Sequence, residues 1–281
     1  MSGNFILRAA AGTDAGRKHN VNQDNAFAYV RDPELGKSRG LFIVADGMGG
    51  HKAGEIASQL AVETIHQELV WFLMQSDEED TQPSYPAIGQ EGTSETEQNL
   101  LEKRLLLAIQ QANRRITQYA ESNPIDAGNL GTTITCALID ENQAIIVNIG
   151  DSRTYLLRGG KLYQITEDHS YVGHLVREGQ LAPEGIYDHP RRNVITRSLG
   201  YRSNVEADLF PRAIEVRDRL LLCSDGLWEM IRDEGIKDVL MQEADPQRAS
   251  DLLVRHANAA GGDDNISVIV VQVETITETE E

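Results

Sequence analysis

The feature that most constrains the fold is a succession of short apolar runs separated by turns. The runs are four to eight residues long and rich in β-branched and aliphatic side chains, which is typical of strands. Most connections are too short for a crossover helix, so most neighbouring strands are predicted to pair antiparallel. The predicted strands are Phe5–Ala10, Ala26–Val30, Leu41–Ala45, Thr132–Ile139, Ala144–Ile149, Thr154–Leu157, Lys161–Ile165, Val205–Phe210, Arg219–Cys223 and Ile266–Val273.

Helical periodicity occurs in separate parts of the chain. Apolar residues follow one helix face from Ala53 to about Leu73. Ser94 and Glu97 fit a capping box that opens a second helix, with apolar side chains at helical spacing over Leu101–Tyr119. An Asp-Pro start and a Gly-Gly end delimit a third helix within Asp245–Gly262. Together with the strands, this predicts an α+β fold: a β-sandwich with helices packed outside each sheet.

Composition limits the partners. The chain of 281 residues has 44 Asp and Glu against 26 Lys and Arg, a formal charge of −18, so nucleic acid is not a predicted partner. No apolar run reaches the ~18 residues of a membrane span, and the first residues lack a signal-peptide pattern. We therefore expect a cytoplasmic monomer without a membrane partner, with Cys136 and Cys223 as reduced core thiols.

The chain is predicted to form a single domain over residues 1–281. Residues 76–97 are acidic, contain two prolines and show no periodicity, so they are predicted to be a mobile loop or linker. Residues 168–200, rich in His, Arg and Gly, predict a short helix followed by an irregular excursion. Residues 274–281 predict a frayed tail.

Carboxylates stand at the ends of several apolar runs. Asp46, Asp151 and Asp225 each close a run beside a glycine, and Asp264 shortly precedes the last run. Because sheets do not easily bury charge, these carboxylates are predicted to converge at one rim and bind hard cations such as Mg²⁺ or Mn²⁺. Alternatively, an isolated Asp-Gly is a simple turn. A nucleotide loop at Gly47–Gly50 lacks the GK[ST] and GxGxxG patterns.

These pieces, in their order, resemble the metal-dependent protein phosphatase family of type 2C, in its compact bacterial form. The resemblance covers nearly the whole chain except residues 76–97, and it implies a four-layer fold with two antiparallel sheets face to face and helices outside. The matching segments are RKHNVNQD at 17–24, VADGMGGH at 44–51, GTT at 131–133, NIGDSR at 148–153, TRSLG at 196–200, SDGL at 224–227 and DDNIS at 263–267.

The resemblance also implies a central site for two Mg²⁺ or Mn²⁺ ions. In the family pattern Asp46 bridges the two ions, and the carbonyl of Gly47 binds one of them. Asp225 and Asp264 hold the other ion. Asp24 is implied to lie close by and to act through metal-bound water.

Two further residues gain roles from the resemblance. Asp151 resembles the residue that helps Asp225 hold a third, weaker ion in bacterial relatives. Arg17 is implied to bind the substrate phosphate, since a guanidinium can donate two parallel hydrogen bonds to phosphate oxygens. The predicted activity is hydrolysis of phosphoserine and phosphothreonine in phosphorylated protein substrates by a metal-activated water.

One position departs from the family pattern. Animal and plant relatives place a histidine two residues after the bridging aspartate, where it is thought to protonate the leaving group. This chain has Met48 there. His51 is the nearest candidate, and three roles stay open for it: general acid, substrate contact, or a polar residue that opens the helix. His19 is predicted to be a surface residue.

Residues 168–200 match the position of the family's flap, a small subdomain beside the metals. Its four arginines could attract phosphorylated segments or could belong to a solvated loop. They are Arg177, Arg191, Arg192 and Arg197. Two other functions also stay open: a phosphatase for small phosphorylated molecules, and an inactive phosphoprotein-binding module. The module would be expected to lose metal ligands, and all of them are present here.

Overall fold

The computed structural model describes residues 5–49, 53–75, 97–124 and 130–275. Its strands are β1 Phe5–Asp14, β2 Asp24–Val30, β3 Arg39–Met48, β4 Gly131–Thr132, β5 Ile134–Asp140, β6 Gln143–Ile149, β7 Arg153–Arg158, β8 Lys161–Gln164, β9 Asp208–Ala213, β10 Arg219–Cys223 and β11 Ile266–Thr275. Its helices are α1 Ala53–Met74, α2 Glu97–Ser122, α3 Tyr171–Arg177, α4 Asp225–Gln242 and α5 Pro246–Ala259.

The strands form two sheets. Sheet I has the order β1-β11-β10-β7-β8, and sheet II has the order β2-β3-β5-β6-β9, with β4 paired to the end of β3. Every pairing is antiparallel, as the short connections predict.

Alternation along the central strands builds the layers. In β3, Leu41 and Ile43 pack with the residues of α1 and α2, whereas Phe42 and Val44 pack toward sheet I. Strand β11 alternates in the same way between the residues of α4 and α5 and the residues of sheet II. Successive side chains point to opposite faces, so a strand covered on both faces reads as one continuous apolar run. The predicted sandwich with outer helices is confirmed, in four layers.

Element boundaries differ from the sequence prediction in two places. The strand predicted at Val205–Phe210 lies at Asp208–Ala213, where it forms an edge of sheet II that tolerates Pro211. Helix α4 was not predicted. It is kinked at Arg232, which has a φ of 53°, so no single helical period runs through it.

The predicted segments are placed as follows. Residues 76–96 lie outside the described ranges, and residue 97 already belongs to α2. Residues 168–200 contain α3 and a 3₁₀ turn at Pro183–Ile186. The first two residues of the predicted tail, 274 and 275, belong to β11, and the others lie outside the described ranges.

Both cysteines, Cys136 and Cys223, are buried and free, as predicted. Among the residues that the structure describes, no helix combines the length and the apolar character that crossing a membrane requires.

A buried polar bond joins the two sheets inside their shared core. The hydroxyls of Thr135 in β5 and Thr154 in β7 lie 2.7 Å apart, and both residues are fully buried. Each hydroxyl is the partner of the other, so removing one leaves a buried polar group without its bond.

Replacing either threonine by valine is therefore expected to lower the free energy of unfolding by about 1–3 kcal/mol. The double variant Thr135→Val/Thr154→Val is expected to lose less than the sum of the single variants, because both unsatisfied groups are then removed. Urea unfolding of the three variants measures this. Additive losses would show that the two hydroxyls are not paired.

Candidate metal centre

The structure brings the predicted carboxylates to one rim of the sandwich. Asp24 begins β2 and lies opposite Asp46 in β3, while Asp225 opens α4. Burial raises the pKa of Asp46 well above its usual value, and repulsion from Asp24, Asp225, Asp151 and Asp264 raises it further. Carboxylates that repel one another in this way share one electrostatic site.

Three carboxylate oxygens at this rim are buried without a hydrogen-bond donor among the described residues. They are Oδ1 of Asp24, of Asp151 and of Asp225. Burial is the largest cause that raises the pKa of Asp24 to about 6 and that of Asp151 to about 7. An ionised carboxylate in this setting is costly unless a cation compensates it. The donor set therefore fits a hard, oxygen-seeking divalent cation.

Among the described residues, no three His, Cys, Asp or Glu side chains already form the ligand set of one ion.

Gly47 permits a close approach between β3 and the start of α1. A Cβ at residue 47 would lie 2.1 Å from the carbonyl oxygen of Gly54 and 2.4 Å from that of Gln23. Any side chain would push α1 away from the strand that carries Asp46. The predicted role of the Gly47 carbonyl as a metal ligand stays a prediction.

A second glycine contact brings α4 to the loop before β11. A Cβ at Gly226 would lie 2.1 Å from the carbonyl oxygen of Asn265. This approach places Asp225 beside the loop that carries Asp264, and repulsion from Asp264 contributes to the raised pKa of Asp225, after burial and Asp151.

Ser224 ties the two halves of the rim together. Its hydroxyl donates to Oδ2 of Asp24 at 2.7 Å and accepts from the backbone N–H of Ser267 at 2.9 Å. One oxygen of Asp24 is thereby fixed, and the other remains unpartnered. The sequence reasoning did not single out Ser224 for this contact.

Arg17 lies on the loop between β1 and β2, next to the residues that precede Asp264. Its backbone N–H donates to the carbonyl of Gly262 at 2.7 Å. Its side chain is exposed and has no ion pair within the described ranges. The neighbouring Lys18, by contrast, pairs with Asp263 at 2.7 Å. Within the part of the chain that the structure describes, Arg17 is thus an unpaired cation beside an acidic rim.

Asn265 holds this loop, and its contacts were not predicted. Its Oδ1 accepts from the backbone N–H of Gln23 at 2.7 Å, and its Nδ2 donates to the carbonyls of Ala15 at 2.9 Å and Val21 at 3.1 Å. The only sequence signal was the position of Asn265 inside the DDNIS segment. Asn265 positions the loop of Arg17 and the start of β2 against the loop of Asp264.

The histidines and Met48 are placed differently. His51 lies outside the described residues, so its predicted role stays a prediction. Met48 ends β3 opposite Gly131. His19 is half exposed, as predicted for a surface residue, and its Nε2 lies 3.5 Å from Oδ1 of Asp264.

The arginines of residues 168–200 are mostly balanced by local acids. The carboxylate partners are Glu167 for Arg177, Glu229 for Arg192 and Asp208 for Arg197. Arg191 stacks on the ring of Tyr171 at 3.6 Å. For the three paired arginines, this favours a structural role over attraction of phosphorylated segments.

The fold and the acidic rim define a metal-dependent phosphatase, and comparison with known proteins identifies the family. Residues 11–256 match the model of protein phosphatase 2C. The chain is 36% identical to the serine/threonine phosphatase stp of Listeria welshimeri over 266 residues, 95% of this chain and 96% of that protein. It is also 36% identical to the protein phosphatase PhpP of Streptococcus pneumoniae, over 93% of this chain and 95% of that one.

Solved structures agree. The Mycobacterium tuberculosis serine/threonine phosphatase PstP/Ppp superposes with a TM-score of 0.78 at 36% identity, covering 95% of this chain and 99% of that one. The catalytic domain of PstP in complex with two manganese ions superposes with a TM-score of 0.76 at 34% identity, covering 96% and 100%. The chain belongs to the protein phosphatase 2C family. The predicted family, fold class and serine/threonine phosphatase activity are confirmed.

Asn265→Ala is expected to lower the free energy of unfolding by about 1–3 kcal/mol and to reduce kcat/KM, because it releases the loop that carries Arg17. Asn265→Asp keeps one acceptor but sets a carboxylate against two carbonyls, so it is expected to be at least as damaging. Urea unfolding and phosphopeptide kinetics measure both effects. Wild-type behaviour of both variants would remove Asn265 from this role.

Proposed function

We propose that this phosphatase hydrolyses phosphoserine and phosphothreonine of phosphorylated proteins at a centre of two Mg²⁺ or Mn²⁺ ions. The observation that carries the proposal is the meeting of five carboxylates at one rim. Three of them have a buried oxygen that lacks a donor within the described ranges. A structure of the similar phosphatase PstP with two manganese ions supports the number of ions.

Each carboxylate has a proposed part in holding the ions. Repulsion from all four of the other carboxylates helps to raise the pKa of Asp46, and this shared environment suits a bridging ligand. The carbonyl of Gly47 would be a ligand of one ion, and Asp225 and Asp264 would hold the other. Asp24 is fixed through one oxygen by Ser224, which suits a contact through water with its second oxygen.

The ions, Arg17 and the residues that hold its loop have separate proposed roles in the reaction. Bound divalent cations lower the pKa of water toward neutrality and offset charge on the transferring phosphoryl group. Arg17 binds the phosphate with a guanidinium that is free of competing carboxylates within the described ranges, and so orients phosphorus for in-line attack. Asn265 and the carbonyl of Gly262 keep the Arg17 loop against the rim.

Further roles are proposed for Asp151 and His51. Asp151 is proposed to hold a third, weaker ion together with Asp225, since repulsion from Asp151 helps to raise the pKa of Asp225. His51 is proposed to contact the substrate or its leaving oxygen in place of the histidine that Met48 replaces. One catalytic domain over residues 1–281 with a flap at 168–200, a monomeric state and a cytoplasmic location complete the proposal.

Asp46→Asn is expected to lower kcat by at least about a hundredfold, because it removes the charge that joins the two ions. Asp264→Asn is expected to weaken Mn²⁺ binding, whereas Asp263→Asn, next to it but paired with Lys18, is expected to keep the wild-type rate. EDTA is expected to stop the wild type, and Mn²⁺ to restore it. Phosphate release from a phosphothreonine peptide and calorimetric Mn²⁺ titration measure these effects. Equal loss in the Asp263 and Asp264 variants would contradict the assignment.

Arg17→Ala is expected to lower kcat/KM roughly ten- to a hundredfold, the effect of losing a charge-assisted contact to phosphate. Arg17→Lys is expected to recover only part, because an ammonium cannot donate the paired hydrogen bonds. Lys18→Ala is the matched control, since it removes a neighbouring exposed cation. Steady-state kinetics on one phosphothreonine peptide at saturating Mn²⁺ separate the variants. An equal effect of Lys18→Ala would mean that only overall charge matters.

A further inference from the structure

The imidazole of His169 contacts the turn that carries Asp151. His169 is buried at the start of residues 168–200. Its backbone N–H donates to the carbonyl of Gly150 at 2.8 Å, and the backbone N–H of Gly150 donates to its ring Nδ1 at 3.2 Å. Both polar backbone groups of the residue before Asp151 are thus bonded to one histidine.

The other side of the same ring faces strand β9. Nε2 lies 3.0 Å from Oδ2 of Asp208, whose second oxygen accepts from Arg197 at 2.7 Å. The backbone carbonyl of His169 accepts from the N–H of Thr196 at 2.8 Å. Both ends of residues 168–200 therefore meet at His169.

These contacts select one form of the ring. Because Gly150 donates to Nδ1, the imidazole is neutral and carries its proton on Nε2, where it donates to Asp208. Burial lowers the pKa of His169, against the opposing effect of Asp208, and so favours this neutral form. The pKa of Asp208 is lowered despite its partial burial, through the hydrogen bonds from His169 and Arg197.

The turn has little freedom to adjust without this contact. Gly150 has a φ of 110°, and a Cβ there would lie 2.6 Å from the side chain of Thr133. On the far side, the indole N–H of Trp228 donates to the carbonyl of Asp151 at 3.0 Å. The Asp151 backbone is therefore held between α4 and His169, while its side-chain Oδ1 has no donor among the residues that the structure describes.

We propose that His169 is a positioning residue for Asp151. His169 fixes the Gly150 turn through its Nδ1 and couples that turn to both ends of residues 168–200. The proposal rests on the proposed function, in which Asp151 holds a third, weaker ion. In this proposal, the arrangement of the flap and the affinity for that ion depend on the same set of hydrogen bonds, those made by His169.

Two substitutions separate the two sides of the ring. In His169→Asn the amide oxygen replaces Nδ1 as an acceptor for Gly150, and the contact to Asp208 is lost. In His169→Gln the amide N–H replaces Nε2–H toward Asp208, and the acceptor for Gly150 is lost. The pair differs by one methylene group, so a general packing effect is largely shared.

The first measurement needs no metal. In the metal-free protein, hydrogen exchange of the Gly150 amide is expected to be about five- to thirtyfold faster in His169→Gln than in wild type, and close to wild type in His169→Asn. Imidazole ¹⁵N shifts of the wild-type protein are expected to show Nδ1 unprotonated and Nε2 protonated. A protonated Nδ1 would overturn the proposal, even if neither variant folds.

The second measurement is the Mn²⁺ concentration that gives half the maximal rate on p-nitrophenyl phosphate. This Mn²⁺ concentration is expected to rise about five- to thirtyfold in His169→Gln and to stay within about threefold of the wild-type value in His169→Asn. Asp151→Ala/His169→Gln is expected to match Asp151→Ala alone, because both changes act on one carboxylate. Equal shifts in the Asn and Gln variants, or additive losses in the double variant, would overturn the positioning role. Failure of the proposed function would appear separately, as a wild-type rate that does not depend on Mn²⁺.

Discussion

The structure depends on the concentration of like charge at one rim of a β-sandwich. Asp24, Asp46, Asp151, Asp225 and Asp264 come from different parts of the chain, and each raises the cost of ionising another. In the absence of cations, such a cluster opposes folding, because the carboxylates repel one another and three of them have a buried oxygen without a donor among the described residues. Two glycine contacts and the hydroxyl of Ser224 keep the cluster assembled against this repulsion.

Different parts of the site show how far sequence reasoning reaches. Asp46 and Asp225 could be found because each closes an apolar run beside a glycine, and the alternating core made those runs visible. The contacts of Asn265 could not be found, since it bonds Gln23 across 242 positions of the chain. The same holds for Ser224, Trp228 and His169, whose partners lie 200, 77 and 19 positions away along the chain.

Local rules failed where tertiary contacts override them. Helix α4 was not predicted because its kink at Arg232 interrupts the helical period of apolar residues. Its first turn nevertheless contains Asp225, and the indole of Trp228 in this helix donates to the carbonyl of Asp151. The arginines of residues 168–200 suggested a positive surface, but three of them pair with carboxylates outside that segment, at Glu167, Asp208 and Glu229. Counting charge along the sequence could not show this cancellation.

The distribution of the carboxylates between the sheets has a mechanical consequence. Asp24 and Asp46 belong to sheet II, whereas Asp225 and Asp264 adjoin β10 and β11 of sheet I. A divalent cation held between them, as proposed, would be a reversible cross-link across the sandwich. A ligand that binds only the native state adds RT ln(1 + [L]/Kd) to the free energy of unfolding. The supply of free divalent cation would then set the equilibrium stability of the folded enzyme as well as its turnover.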